Sequence, residues 1–322
     1  MHWIETKIID RQMVAERIMR LELQADEPLP EFESGAHVDV QIPHTDLVRQ
    51  YSMLNDPAQT QTYVLAVQQE LDSRGGSSAL FQHAQVGESL WISPPKNRFQ
   101  LVPQAPHHIL IAGGIGITPL LSMAHTLQRE QASFVLHYST RSRARTAFYD
   151  ELAAGPLAEH IRFYHDDYQG HIAFTLRMAL ENIDPQSQVY VCGPATLIRA
   201  VQAGARVVGL PLEQVRHEYF SLQGLTPPTQ AQENSPFEVV LAKSQQRVPV
   251  AADETIVQAL EKVGVSVLVS CQEGICGTCV TPVLEGVPEH RDHYLHPEEK
   301  SSNRLMTPCC SRAQSSSLVL DL

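Results

Sequence analysis

Three of the six cysteines in this chain lie close together between Ser270 and Cys279. Cys271, Cys276 and Cys279 follow the spacing C-x4-C-x2-C, and a fourth cysteine follows at Cys309 or Cys310. This spacing is typical of plant-type [2Fe–2S] ligation, in which each iron takes two thiolates besides the bridging sulfides. Zinc sites more usually contain two C-x2-C pairs, so zinc or purely structural thiols are the alternative interpretation.

Two glycines in the same segment suit a cluster-binding loop. Gly274 and Gly277 have no Cβ, so the backbone can approach a cluster closely and direct N–H groups at its sulfurs. Further along, the polar segment from His290 to Leu295 contains histidine and aspartate but lacks the spacing of metal ligands. We therefore predict a solvated loop there.

Two short motifs in the first third of the chain suit a flavin. Arg49, Tyr51 and Ser52 can provide a cation for its phosphate, an aromatic wall for its ring and a hydrogen bond at the ring edge. The second motif is a glycine turn before a helical start, where N–H groups and the helix dipole favour a phosphate; it comprises Arg74, Gly75, Gly76 and Ser77. A surface arginine and a flexible turn are the alternative for either motif alone.

A further pair of turns suits a dinucleotide. The apolar run from His108 to Ala112 leads into a turn and then a helical segment, and the candidate residues of that turn are Gly113, Gly114, Gly116 and Thr118. A later strand ends at Cys192, Gly193 and Pro194, at another carboxyl edge where ligands of open α/β sheets gather. Cys192 is expected to line the site without acting as a nucleophile; a buried core thiol is the alternative.

Strands and helices must place these motifs. Alternating apolar and polar stretches separated by turn residues predict an antiparallel β-barrel over residues 1–103. Strands separated by helices predict a parallel α/β domain over residues 104–224. A polar, proline-bearing stretch predicts a linker at 225–236, and a hairpin, a helix and the cysteine loop predict an α+β domain of β-grasp type at 237–322.

Composition restricts the partners. The 322 residues carry a formal charge of −12, which disfavours nucleic acid and leaves room for a basic protein partner. The first residues lack an apolar run of signal-peptide length, and no later run approaches the length of a membrane span. We therefore expect a cytoplasmic protein without a membrane partner.

The order of these motifs resembles the phthalate dioxygenase reductase family, the flavin and iron–sulfur reductases of Rieske-type oxygenases. The resemblance spans essentially the whole chain. It consists of R-x-Y-S, then R-G-G-S, then a G-G-x-G-I-T-P turn like that of the ferredoxin–NADP reductase superfamily, and then a C-terminal plant-type ferredoxin domain. The resemblance implies NADH as electron donor, FMN as flavin and a Rieske-type oxygenase as partner.

The resemblance also implies roles for residues that spacing does not settle. Cys309 is the first residue of a C-x-S-R-A pattern that ends at Ala313, which makes it the expected fourth cluster ligand instead of Cys310. Glu218 and Phe220 match an E-x-F ending that packs near the flavin. Arg141, Arg143 and Arg145 follow the second strand of the nucleotide domain, either as a solvated loop or as phosphate contacts that would admit NADPH.

The three sites imply one function. Nicotinamide gives up two electrons together as hydride, whereas a [2Fe–2S] cluster accepts one at a time, and a flavin converts between the two. Hydride transfer needs no protein base, so no catalytic acid or base is predicted. The alternatives are the same chemistry with another acceptor, such as a diiron monooxygenase or a separate ferredoxin, and a non-enzymatic redox or zinc module.

Overall fold

The computed structural model describes residues 2–70, 75–102, 104–167, 176–181, 183–222 and 234–322. Of the residues predicted above, Arg74 and most of the 225–236 linker lie outside these ranges. The chain divides into two compact units, Met1–Gly224 and Leu225–Leu322. The finer domain boundaries stay predictions. No helix within the described ranges is long and apolar enough to cross a membrane.

The first unit begins with an antiparallel sheet. Its elements are β1 (Ile4–Ala15), β2 (Ile18–Gln24), β3 (His37–Gln41), β4 (Val48–Ser52), β5 (Tyr63–Gln68), helix α1 (Gly76–His83) and β6 (Ser89–Ile92). The strand order is β4-β3-β6-β1-β2-β5. A bridge between Met53 and Leu65 joins the two ends, so the sheet closes into the predicted barrel. Alternating apolar side chains fill its interior because successive residues of a strand face opposite sides.

A parallel sheet with helices follows in the same unit. Its elements are β7 (His108–Gly113), α2 (Ile117–Arg129), β8 (Phe134–Thr140), α3 (Tyr149–Ala154), β9 (Ile161–His165), α4 (Leu176–Leu180), β10 (Gln188–Gly193), α5 (Ala195–Val207) and β11 (Val215–Tyr219). The order β11-β10-β7-β8-β9 reverses direction between β7 and β10. Ligands of open α/β sheets bind at such a switch point, so the turns after β7 and β10 are well placed for one.

The barrel and the parallel sheet share an apolar core. Leu54 and Val64 of the barrel belong to the same buried cluster as Leu120 and Met123 of α2. Ser122 of α2 also donates a hydrogen bond of 2.9 Å to the carbonyl of Asn55. This packing holds the carboxyl edge of the parallel sheet against one side of the barrel.

The second unit is a small mixed sheet with one packed helix. Its elements are β12 (Phe237–Leu241), β13 (Arg247–Val250), α6 (Ile256–Lys262), β14 (Thr281–Glu285), β15 (Pro288–Glu289), α7 (Pro297–Ser302), β16 (Leu305–Met306), β17 (Arg312–Ala313) and β18 (Ser317–Leu320). Thr255 caps α6 and forms a capping box with Gln258, which satisfies two backbone N–H groups at the start of the helix. Strands β12 and β18 pair in parallel at the centre of the order β13-β12-β18-β14-β16. The predicted α+β layout is confirmed.

Candidate functional site

The two motifs predicted for the flavin meet in the structure. The side chain of Arg49, on β4, lies directly over Gly76 at the start of α1: a Cβ on Gly76 would lie 2.9 Å from Arg49 Cγ and 3.1 Å from Nε. Gly75, with φ of +96°, provides the left-handed turn that precedes the helix. The arrangement places a guanidinium beside a helix N-terminus, where both the positive charge and the N–H groups suit a phosphate.

Ser77 takes part in the same turn. Its hydroxyl accepts a hydrogen bond of 3.1 Å from the backbone N–H of Glu70, after β5. Tyr51 packs its ring against the barrel core, and burial raises the pKa of its hydroxyl well above the ordinary value. Tyr51 therefore stays protonated and offers an apolar ring face beside the arginine.

Ser52 faces the edge of the parallel sheet. The residue is 5% exposed, and its hydroxyl donates a hydrogen bond of 3.3 Å to Glu218 Oε2 on β11. Glu218 lies in register with Cys192 of the neighbouring strand β10. The barrel motif R-x-Y-S and the strand ends at Cys192 and Glu218 therefore meet at one place.

Burial sets the protonation states of Glu218 and Cys192 at this junction. It raises the pKa of Glu218 to about 8, and the Ser52 hydroxyl opposes that rise in part. Burial also raises the pKa of the Cys192 thiol well above its ordinary value, and the adjacent Glu218 raises it further. Cys192 is a neutral thiol, which argues against a nucleophile. It is 0% exposed and belongs to the apolar core, as the core-thiol alternative expects, so the site-lining role stays a prediction.

One residue at this point escaped the sequence analysis. His37 of β3 is 4% exposed, and its Nδ1 lies 3.9 Å from Glu218 Oε1. Burial lowers its pKa to about 4, so the ring is neutral. Nothing in the local pattern H-V-D-V distinguished this histidine from an ordinary strand residue. Conversely, Phe220 is 38% exposed, so of the E-x-F pair Glu218, with a side chain 17% exposed, is the half-buried member at this junction.

The two glycine turns of the nucleotide domain are in direct contact. A Cβ on Gly116 would lie 2.3 Å from the carbonyl oxygen of Cys192, and one on Gly193 would lie 2.9 Å from Gly113 Cα. The missing side chains let the backbones after β7 and β10 touch at the switch point. Gly114 has φ of +56° and open space around it, as a turn exposed to a ligand requires.

Two other nucleotide predictions have simpler outcomes. Thr118 is buried, and its hydroxyl donates to the carbonyl of Ile115 (3.1 Å), so it holds the turn in shape. Arg143 lies over the ring of Tyr149 at 4.4 Å and pairs with Asp150 (3.0 Å), while Arg145 lies 3.6 Å from Glu16. These exposed pairs favour the solvated-loop interpretation of the arginine run.

Four of the five cysteines of the second unit form two pairs, and the fifth, Cys310, is also hydrogen-bonded to Cys309. A hydrogen bond between the thiols raises the pKa of Cys271 and lowers that of Cys276 to about 6. Cys279 and Cys309 form the second pair, whose hydrogen bond raises the pKa of Cys309 to about 12. No three His, Cys, Asp or Glu side chains among the described residues are grouped around a single-ion position. Two pairs of thiols are the donor set that a two-iron cluster requires.

The cluster loop also directs N–H groups at sulfur. The N–H of Glu273 donates to Cys271 Sγ (3.3 Å), and the N–H of Cys271 donates to Cys276 Sγ (3.5 Å). Gly274 and Gly277 both have positive φ, and a Cβ on Gly277 would overlap the ring of Tyr294. These glycines therefore permit both the tight loop and its packing, as the sequence predicted.

The segment from His290 to Leu295 corrects one expectation. The segment is solvated only in part: Arg291 and His293 are exposed, whereas Asp292 is 4% exposed. A Cβ added to Gly274 would lie 2.9 Å from the Cα of Asp292. Asp292 Oδ2 accepts hydrogen bonds from the N–H groups of Tyr294 and Leu295. This carboxylate shapes the turn that supports the cluster loop, and hydropathy alone could not show that it is buried.

Comparisons with known proteins agree with this architecture. Residues 239–314 match the family described as 2Fe-2S iron-sulfur cluster binding domain. Residues 88–215 match the family described as dimethylamine monooxygenase subunit DmmA-like, N-terminal domain.

Two relatives and one solved structure are similar over nearly the whole chain. The vanillate O-demethylase oxidoreductase of Pseudomonas sp. (strain HR199 / DSM 7063) is 40% identical over 99% of this chain and 100% of its own. The heme-dependent oxidative N-demethylase beta subunit of Ectopseudomonas mendocina (strain ymp) is 41% identical, covering 91% of this chain and 90% of its own. The structure of phthalate dioxygenase reductase, described as modular for electron transfer from pyridine nucleotides to [2Fe–2S], superimposes with a TM-score of 0.73 at 36% identity, over 99% of this chain and 98% of that one.

The predicted fold, redox cofactors and enzyme class are thereby confirmed. The chain belongs to the phthalate dioxygenase reductase family, and it is an NADH-dependent oxidoreductase that works through a flavin and a [2Fe–2S] cluster.

Proposed function

We propose that this reductase binds FMN and delivers electrons from NADH, one at a time, to a Rieske-type oxygenase component. The observation that carries the proposal is the junction of Ser52 on the barrel with Cys192 and Glu218 on the strand ends, beside the two touching glycine turns. A flavin ring held at the barrel edge and a nicotinamide held at the switch point would meet there.

The residues have distinct tasks in this proposal. Arg49, with Arg74, Gly75, Gly76 and Ser77, holds the single phosphate of FMN, and Tyr51 and Ser52 line its ring. The turns at Gly113, Gly114, Gly116 and Thr118 and at Cys192, Gly193 and Pro194 receive the dinucleotide, with Glu218 and Phe220 at the flavin side. Bound flavin takes an electron pair as hydride and returns the electrons singly.

The cysteine loop supplies the last site. Cys271 and Cys276 would ligate one iron, and Cys279 and Cys309 would ligate the other, in keeping with the contacts within these two pairs of thiols. The N–H groups of Cys271 and Glu273 that donate to sulfur would stabilise negative charge on a bound cluster. The protein thus aligns cofactors and adjusts potentials without altering a substrate of its own.

The similarity to the vanillate O-demethylase oxidoreductase supports an oxygenase as partner. A haem-containing oxygenase is the second candidate, favoured by the 41% identity to the heme-dependent oxidative N-demethylase beta subunit. The oxygenase's own substrate is bound by the oxygenase, so this chain does not specify it. The cytoplasmic location stays a prediction.

One variant tests the serial pathway. Replacing Cys276→Ser should abolish electron delivery to the acceptor and spare flavin reduction by NADH, because the cluster follows the flavin. Cys310→Ser is the matched control and should retain both steps. Anaerobic stopped-flow absorbance separates the steps, and equal loss of flavin reduction in Cys276→Ser would refute the serial order.

An acceptor panel tests the partner. Wild-type protein is mixed with NADH and either a Rieske-type or a haem oxygenase component, and the rate of acceptor reduction is measured. The measurement is repeated with NADPH in place of NADH, and the two rates are compared. Fast reduction of the Rieske component supports the proposal. Reduction of the haem component alone would transfer the assignment to the second candidate.

A further inference from the structure

His37 is a buried polar side chain that the proposed sites do not use. It is 4% exposed, and neither ring nitrogen has a hydrogen-bond partner in the described part of the chain. A buried polar atom without a partner is costly and uncommon in folded proteins. The backbone of His37 is well held, because its N–H and carbonyl both pair with Lys96 (2.9 Å each). The ring is therefore kept at this position by the strand.

The carboxyl of Glu218 lies close to the His37 ring. Its Oε1 lies 3.9 Å from His37 Nδ1, so a movement of about 1 Å brings the two atoms to hydrogen-bond distance. The other oxygen of the carboxyl, Oε2, already accepts the hydrogen bond from Ser52. The carboxyl thus lies between a hydroxyl on β4 and an imidazole on β3.

Other charged and titratable groups surround the pair. Asp39, two residues along β3, lies 2.6 Å from Lys96 Nζ; Lys96 and Arg98 both disfavour a charged ring, whereas Asp39 favours it. Cys192 on β10 faces Glu218 as a neutral thiol. Burial is the largest influence on both partners, and it keeps His37 neutral and Glu218 protonated near pH 7. A protonated carboxyl and an imidazole with one acceptor nitrogen therefore face each other.

We propose that His37 is a positioning residue for Glu218: the neutral ring accepts the carboxyl O–H while Glu218 is protonated and donates an N–H to the carboxylate once Glu218 ionises. In that step the carboxyl O–H bond breaks and one proton leaves to water, the single N–H of the ring is transferred from Nε2 to Nδ1, and no electron moves. The proposal rests on the proposed flavin and nicotinamide junction.

The reaction gives such a pair a purpose. Hydride is one proton with two electrons, so its proton stays behind after both electrons leave for a one-electron acceptor. Glu218 takes up that proton once it has ionised, and the N–H of the neutral His37 ring stabilises the carboxylate until then. His37 thereby keeps Glu218 available for proton exchange at the junction.

Reciprocal titrations of the holoenzyme test this pairing. The Glu218 carboxyl is followed by its infrared C=O band, assigned by its loss in Glu218→Gln, and the His37 ring is followed by nitrogen NMR of histidine-labelled protein. In His37→Leu, the ionisation midpoint of Glu218 should rise by at least one pH unit, a tenfold change in its proton affinity, because the carboxylate loses its N–H donor. In wild type the ring signals should shift over the same pH range as the carboxyl, and this step should vanish in Glu218→Gln.

Matched variants separate pairing from structure. His108→Asn removes another buried histidine, on β7, whose Nδ1 also has no partner in the described residues, and it should leave the Glu218 midpoint unchanged. His37→Phe is the second variant if His37→Leu does not fold, with the same expected rise, because phenylalanine also has no N–H donor. An unchanged Glu218 midpoint, an equal shift in His108→Asn, or a His37 step that persists in Glu218→Gln would each overturn the pairing.

The failure of this pairing is distinguishable from failure of the proposed function. Flavin absorbance of each purified variant reports whether the flavin site is intact, and the acceptor panel reports the partner. Neither depends on the two titrations. A wild-type protein without flavin would refute the proposed function, whereas flavin-loaded protein with independent titrations would refute the pairing alone.

Discussion

Gly116 offers a sharp test of the contact between the two glycine turns. Its φ of −62° and ψ of −1° lie in the helical region, so alanine introduces no backbone strain there. Any effect of Gly116→Ala must therefore come from the added methyl group. That methyl would lie 2.3 Å from the carbonyl oxygen and 2.4 Å from the carbonyl carbon of Cys192 and 2.6 Å from the N of Gly193.

The size of the effect follows from those distances. Ordinary contacts of a Cβ begin at 3.4 Å, so one turn must move by about 1 Å relative to the other. Overpacking of this kind costs about 1–3 kcal/mol of unfolding free energy. Misplacement of a bound reactant by about 1 Å can cost roughly 100-fold in rate. We expect flavin reduction by NADH at low concentration to slow by roughly 10- to 100-fold.

Stopped-flow absorbance under anaerobic conditions measures this rate against NADH concentration, and urea unfolding measures stability. Flavin and cluster spectra should stay unchanged in Gly116→Ala, because Arg49 and the four predicted cluster cysteines are not part of these two turns. Gly204→Ala in α5 is the control: its added methyl lies 3.1 Å from the end of the flexible Leu180 side chain, and alanine favours the helix. Wild-type reduction kinetics in Gly116→Ala, or an equal loss in Gly204→Ala, would show that the close contact does not shape the nucleotide site.

Two further predictions concern the cluster and the response to pH. Cys309→Ser should lose the iron–sulfur absorption and Cys310→Ser should retain it, because Cys309 pairs with Cys279 whereas Cys310 lies near Thr307 (3.3 Å); the reverse result would exchange the ligands. His137→Asn should reduce the slope of unfolding free energy against pH between pH 4 and 6.5 by about 1.4 kcal/mol per pH unit. Burial lowers the His137 pKa to about 4, so the folded state resists protonation and loses stability as pH falls through this window. Urea midpoints across the window measure the slope, and parallel curves for variant and wild type would contradict the assignment. Glu218→Gln should act with the opposite sign, since a pKa raised to about 8 makes stability fall as pH rises toward 8.

Features encoded by neighbouring residues could be predicted from the sequence. The cysteine spacing predicted the cluster, because its ligands come mostly from one loop. The glycines at 113, 116 and 193 predicted tight turns at strand ends, and the structure adds that these turns touch. The helix starting after Thr255 was expected as well, since a capping residue and an apolar face are local signals.

Features that depend on distant residues could not be predicted in this way. The contact of Arg49 with Gly76 and the approach of His37 to Glu218 arise from the strand order and the packing of barrel against sheet. Asp292 looked solvated because its neighbours are polar, yet it is buried against the cluster loop. Periodicity shows which face of a strand is buried but not which strand lies beside it.

The sequence by itself therefore determined the cofactor classes, because the thiolates that bind a cluster and the glycines that form a phosphate-binding turn lie close together along the chain. The tertiary structure alone decided which groups surround the junction and how they are protonated. Burial of Glu218, His37 and Cys192 depends on the barrel meeting the parallel sheet, and that desolvation is what shifts their pKa values.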